Sequence, residues 1–395
     1  MTSGLAVRKA AVSCSEAPTT PVSVVMPPLD MRQLTFTRFI AAMTVVFFHW
    51  AGVWPALNDW MWKYKLHVGP SMVSYFFVLS GFIMVVVYLR PGRPVDRRRY
   101  WAARFARVYP VYFLGVVLMA VPLGFGVDGN RLDPPALVLN VLLQAWTPQY
   151  ALSLNAPGWS LSVEAFFYLA FPILLPLMTR MRRDRTLLAF TAIVWLTSQS
   201  FYLWGYGRLI AHSPFFSHEF LHYNPLVHVN AFVVGMCAGI LVLKHRSRLQ
   251  TPAGARHPHA TMAALWLSLF LAVALTMHIS RVAGPIPLSA TDGLAAPLFA
   301  AFVAALSVDS SRLASVLRLA PFVMLGELSY AVYILQIPVA WFLLRAFSGR
   351  ADVSPAALFA IYLAVLIASS YLAYRYYETP LRWILRDRLS GAARR

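Results

Sequence analysis

Arg38 and His49 are the residues of this chain whose types and spacing most invite chemistry. Both lie in TFTRFIAAMTVVFFHWAG, an apolar run from Thr35 to Gly52 that is long enough to cross a bilayer. They are eleven residues apart, and at about 100° per residue eleven steps end roughly 20° past three full turns. Both side chains therefore leave a helix on one face, about 16 Å apart along its axis. A charged or titratable group inside a membrane is costly unless it faces a polar cavity, so it marks a functional site by default. This stripe offers a cation near one membrane face and a base deeper in.

A carboxylate is available to that base. GWSLSVEAFFYLAFP, residues 158–172, carries Glu164 in an otherwise apolar span that begins near Trp159. Glu164 lies roughly 8 Å below the outer edge of its span and His49 roughly 12 Å below the edge of its own, at about 1.5 Å per residue. Similar depths allow the pair, and a carboxylate that orients a histidine is a recurring general-base arrangement. The same two residues could instead be a buried polar pair that only locks two helices. A further cluster, RRRYWAARFARVYP at 97–110, puts Arg104 and Arg107 three residues apart on one helical face. Arginine suits bidentate phosphate binding, so this pair is a candidate anchor for a phosphorylated cofactor. Membrane orientation and lipid headgroup contact are the competing explanation for the same charges.

Weaker features complete the set. FFVLSGF places Ser80 and Gly81 mid-span, where small residues usually serve close packing. LGELSYAVYILQ, residues 325–336, sets Ser329, Tyr330, Tyr333 and Gln336 in an apolar span as polar groups suited to lining a cavity. Glu378, in YYETPLRW, is a candidate partner for Arg104 or Arg107, or a plain surface charge. The histidines at 212, 218, 222 and 228 have no compact ligand spacing, so no metal is expected. No glycine-rich phosphate loop, HExxH pattern or nucleophile elbow occurs, which leaves direct transfer with a histidine base as the simpler chemistry.

The elements that must position these residues can be inferred from composition. Of 395 residues, 59% are hydrophobic and 12% charged, where a soluble chain carries about 25% charged residues. Apolar runs recur along the whole length, so the expected fold is all-α, a polytopic membrane helix bundle of about ten transmembrane helices. Expected spans are 36–57, 70–89, 108–127, 159–178, 186–204, 225–243, 260–278, 290–308, 321–344 and 355–375. Segment 136–146 is too short to cross and is expected as a re-entrant or interfacial piece on the outer side. With the N-terminus inside, the cytoplasmic loops and C-terminal tail hold 23 Lys and Arg against 7 in the outer loops. That asymmetry favours both termini in the cytoplasm of a multi-pass inner-membrane protein. It also accounts for the formal charge of +19 without a basic soluble face, so no nucleic-acid partner is expected. Three regions result: a disordered cytoplasmic N-terminal tail at 1–33, a membrane domain at 34–380 and a basic cytoplasmic C-terminal tail at 381–395.

Taken in order, RFIAAMTVVFFH, FFVLSGF, RFARVYP after a basic loop, WSLSVEAFFY, LGELSYAVYILQ and ETPLR resemble the acyltransferase 3 family of integral membrane acyltransferases. The likeness runs from about residue 33 to 385. It implies transfer of an acyl group, most often acetyl, from cytoplasmic acyl-coenzyme A (acetyl-CoA) to a hydroxyl on a carbohydrate or lipid-linked sugar acceptor. Many relatives modify surface polysaccharides, which implies polysaccharide assembly proteins and membrane lipids as partners. By resemblance His49 is the essential histidine and Glu164 the glutamate of the tryptophan–serine motif. Arg38, Arg104 and Arg107 fall on the donor-binding side. Trp159, Ser160, Ser329, Tyr330 and Gln336 are the substrate-binding candidates, and Ser160, Tyr330 and Gln336 the candidate oxyanion donors. One departure stands out, because Gln336 occupies the place where the family usually carries a histidine. A transporter or flippase of an anionic or glycosylated lipid, and an acyltransferase for a macrolide-type small molecule, remain the alternatives.

Overall fold

The computed structural model describes residues 29–390 apart from 52, 65–67, 91, 127–130, 210–213, 250–263, 273, 276–292 and 349–352. The chain is all-helical there, as expected. Helices run as α1 (Arg32–Ala51), α2 (Pro55–Tyr64), α3 (Gly69–Tyr88), α4 (Arg97–Gly124), α5 (Pro134–Val141), α6 (Gly158–Thr179) and α7 (Asp184–Leu209). They continue as α8 (Pro214–Tyr223), α9 (Pro225–Leu249), α10 (Ala296–Val308), α11 (Arg312–Leu317), α12 (Ala320–Ala346), α13 (Pro355–Leu372) and α14 (Thr379–Ser390). Helix is the outcome that apolar runs of this length require, since hydrocarbon offers no partner to an unpaired backbone group.

Among the described residues, 8 helices are long and apolar enough to cross a membrane. They correspond to the first six expected spans and the last two. Of the expected seventh span, 260–278, residues 264–272 and 274–275 are described and helical while the others lie outside the described residues, and the eighth appears as α10, whose 13 residues make it a shorter apolar helix. The expected N-terminal tail lies outside the described residues up to position 28. Residues of the expected C-terminal tail are helical through Ser390, and Arg98 Nε of α4 donates to the Leu389 carbonyl at 3.1 Å.

Segment 136–146 does not cross. The short α5 ends at Val141 and the chain then turns back without regular structure to Pro157. Tyr109 and Tyr112 of α4 donate to the carbonyls of Val141 and Asn140, and the Ala145 amide donates to Ser162 Oγ of α6 at 3.2 Å. Irregular backbone one turn inside α6 survives because its polar groups are bonded to protein.

Close helix crossings fix the frame around the site. A β-carbon on Gly81 of α3 would sit 2.1 Å from the Phe232 carbonyl oxygen of α9, so only glycine lets these helices meet. The same holds where Gly326 brings α12 against α1, with the Thr35 carbonyl oxygen 2.1 Å from the absent β-carbon. Prolines inside the spans create a second requirement. Pro172 and Pro338 lack the amide that would bond the carbonyl four residues earlier, which frees the Tyr168 and Ile334 oxygens. Trp101 Nε1 of α4 donates to Tyr168 O at 3.2 Å, and Asn155 Nδ2 donates to Ile334 O at 3.0 Å. The first ties α4 to α6, and the second ties the irregular stretch before α6 to α12. Asn155→Leu leaves the Ile334 oxygen bare in an apolar setting and lowers stability by about 1–3 kcal/mol, measurable as a reduced melting temperature in detergent.

Candidate active site

Five helices converge on a cavity of about 130 Å³. Arg38 comes from α1, Ser80 from α3, Arg104 and Arg107 from α4, Ser160, Glu164 and Tyr168 from α6, and Ser329, Tyr330 and Tyr333 from α12. Seven of the ten candidate site residues therefore line one space. His49, Gln336 and Trp159 do not.

The three arginines differ in their surroundings. Arg107 is paired with Glu378 and, at 3.5 Å, with Glu327. The Glu378 side chain is fully buried and reaches Arg107 because the chain from Ala373 to Glu378 forms a π-helical turn. Wider turns of this kind carry one extra residue and rotate the rest of the helix, and they concentrate at functional sites. Arg38 lies in the field of Glu327 and Glu164, yet among the described residues it forms no hydrogen bond or ion pair. Arg104 also lacks a carboxylate partner among the described residues. Its Nη1 lies 3.9 Å from Met84 Sδ, its guanidinium stands over the Tyr88 and Tyr168 rings, and its Nε is buried without a partner. Arg38 and Arg104 are thus the cations still available to an anion.

Glu164 and His49 do not form the expected pair. Glu164 Oε1 accepts from Ser80 Oγ at 2.7 Å and from the Tyr168 hydroxyl, one turn along α6, at 2.6 Å. His49 instead meets Gln336 of α12, with Nδ1 and Oε1 2.9 Å apart. Depth along two spans constrains height only; which way each side chain points depends on how the helices are rotated, and that sets a different partner.

The Gln336 contact decides the chemistry of His49. Gln336 Nε2 is 2.7 Å from the Tyr333 carbonyl oxygen, an acceptor only, so that end of the amide must be the donor. Oε1 then faces His49 and accepts, which requires the neutral imidazole to carry its proton on Nδ1. Nε2 is left with its lone pair free. The departure from histidine at position 336 thus supplies a neutral acceptor that fixes the tautomer of a base.

Other expected substrate contacts are committed elsewhere. Ser160 Oγ donates to Pro157 O at 2.9 Å and lies 2.8 Å from the Tyr333 hydroxyl. Ser329 Oγ donates to Gly326 O at 2.6 Å, and the Tyr330 hydroxyl donates to the Val108 carbonyl of α4. Trp159 packs in an aromatic group with Phe77, Tyr223 and His228. Ser160 and Tyr330 thus have no free proton in this arrangement, while Gln336 Nε2 keeps a second N–H beyond the one given to Tyr333 O.

An ordered set of polar residues inside an all-helical membrane bundle is matched by comparison with known proteins. The acyltransferase 3 family model, described as an acyltransferase domain, matches residues 31–375. The chain belongs to this family. It is a multi-pass membrane acyltransferase that transfers groups other than aminoacyl groups. Acyltransferase MdmB of Streptomyces mycarofaciens is 28% identical over 388 residues, covering 91% of this chain and 94% of that protein. Nodulation protein 10 of Rhizobium leguminosarum bv. viciae is 28% identical over 187 residues, covering 42% of this chain and 50% of that protein. No solved structure matches. Ser80, Tyr168, Glu327 and Asn155 are site or supporting residues that the sequence does not single out for these roles. Ser80 reads there as a packing residue, and only Pro172 and Pro338 hint at a need for Trp101 and Asn155.

Proposed function

We propose that this acyltransferase moves an acyl group, acetyl by expectation, from cytoplasmic acyl-coenzyme A to a hydroxyl of a carbohydrate or lipid-linked sugar in the inner membrane. The observation that carries the reading is His49 with Nδ1–H held by Gln336 and Nε2 free, on the same helix as Arg38. His49 Nε2 takes the proton of the acceptor hydroxyl as its oxygen attacks the thioester carbonyl. A C–O ester bond forms, the C–S bond breaks, and the imidazolium returns the proton to the departing sulfur. Arg38, Arg104 and Arg107 line the cavity by which the donor's arm would rise, on the side of the basic loops. Arg38, about 16 Å along α1 from His49 and unpaired among the described residues, serves the donor's approach and not the developing oxyanion. Glu164 serves by offsetting Arg38 and holding Ser80 and Tyr168 in place.

Membranes containing the protein, given acetyl-CoA labelled in the acetyl group, transfer label into a base-labile ester on a carbohydrate-bearing product. Mass spectrometry of surface glycans with and without the gene identifies the acceptor. Absence of any labelled ester while the protein is inserted would remove the mechanism.

A further inference from the structure

Beside the polar cavity, and sharing Arg104, Val108 and Tyr168 with it, lies an apolar groove of about 340 Å³ between α4, α6 and the stretch 142–146. Trp101, Phe105, Leu142 and Leu169 on its rim are 39%, 40%, 59% and 61% exposed, so in a bilayer the groove opens to hydrocarbon. One wall is irregular backbone at the depth of Ser162, with Leu143 at φ 57°. Non-helical backbone at such depth is kept where it lines a cavity, and a bulky residue at positive φ is strain of the kind found at ligand sites. The groove's single charged lining residue is Arg104, the arginine with a buried, unpartnered Nε and no carboxylate among the described residues. A cation fixed where a membrane-facing groove meets a polar cavity matches an amphiphile whose anion sits between the two.

We propose that this groove holds the hydrocarbon chain of a phosphate-bearing, lipid-linked acceptor, with the phosphate on Arg104 and the sugar in the polar cavity. The assignment rests on the acyltransferase mechanism above and names its acceptor class; it moves Arg104 from donor to acceptor. A donor acyl chain in the groove would put a neutral thioester at the junction and leave Arg104 unmatched. Side access from the bilayer also leaves the basic face free for the nucleotide.

The test uses the full chain in phosphatidylcholine vesicles, irradiated with a diazirine-bearing farnesyl phosphate and mapped by mass spectrometry. Label is expected on 101–109 and 142–146, displaced by unlabelled farnesyl phosphate and not by farnesol. Ala165→Trp and Leu142→Trp fill opposite walls, and each lowers the labelling by about tenfold or more, the equivalent of a tenfold change in binding constant. The two variants are independent, so one that fails to insert leaves the other decisive. Equal labelling by a diazirine phosphatidylcholine that farnesyl phosphate does not displace would make the groove an annular lipid site and overturn the proposal. Labelling by a diazirine palmitoyl-coenzyme A that displaces farnesyl phosphate would give the groove to the donor and also overturn it. Acetyl transfer from acetyl-CoA to a farnesyl phosphate-linked sugar added to the same vesicles is followed in parallel, so its failure counts against the mechanism alone while the labelling pattern still judges the groove.

Discussion

His49→Ala lowers acyl transfer by about 10²–10⁴-fold, the range a general base contributes, with the protein still inserted. The loss falls on kcat, because the residues lining the cavity keep their places. Stability drops by about 1–3 kcal/mol at most, since Gln336 Oε1 loses its partner. Gln336 is a positioning residue in the same step: it touches Nδ1, and its value lies in keeping the lone pair on Nε2. Gln336→Leu removes that constraint, and a misplaced base lowers kcat on the order of tenfold or more with KM for the donor unchanged. Gln336→Glu keeps an acceptor facing Nδ1 and recovers much of the loss. Measuring both variants separates tautomer control from packing, because a packing role would be damaged by the two substitutions alike. Wild-type rates in His49→Ala would end the base assignment.

The membrane fold is legible in the sequence because its signal is collective. Runs of apolar residues and the placement of 23 cations against 7 depend on composition, which needs no knowledge of which way any one side chain points. The Arg38–His49 stripe follows from the geometry of a single helix, yet only Arg38 lines the cavity. Partnerships between helices are not legible. Glu164 and His49 match in depth, yet the rotation of α6 turns Glu164 toward Ser80 and Tyr168, and α12 supplies Gln336 instead. Glu378 is a sequence candidate for either arginine, and it takes a π-helical turn, invisible in the sequence pattern, to aim it at Arg107. Pro172 and Pro338 announce free carbonyls, while the identity of Trp101 and Asn155 as their donors depends on three-dimensional packing.

Arg107→Met costs about 3–5 kcal/mol of stability, the penalty for leaving a buried charge unpaired. The side chain of Glu378 is fully buried and its Oε2 has no hydrogen-bond partner among the described residues, so Arg107 is what makes the carboxylate tolerable. Glu327, one-third exposed on its side chain, is a weaker companion that solvent can still reach. The double variant Arg107→Met with Glu378→Leu removes both charges and restores most of the melting temperature, because replacing a buried pair by apolar groups of similar size is often close to neutral. This cycle also divides structure from donor binding. If Arg107 only neutralises Glu378, the restored double variant transfers acetyl at near the parent rate. If its guanidinium also meets the donor, the double variant folds but shows a raised KM for acetyl-CoA with the acceptor's KM unchanged. The geometry favours the first outcome, since two carboxylates already occupy Arg107 while Arg38 stands open to the same cavity. A double variant no more stable than Arg107→Met would mean that Glu378 does not depend on this arginine, and the buried pair would lose its explanation.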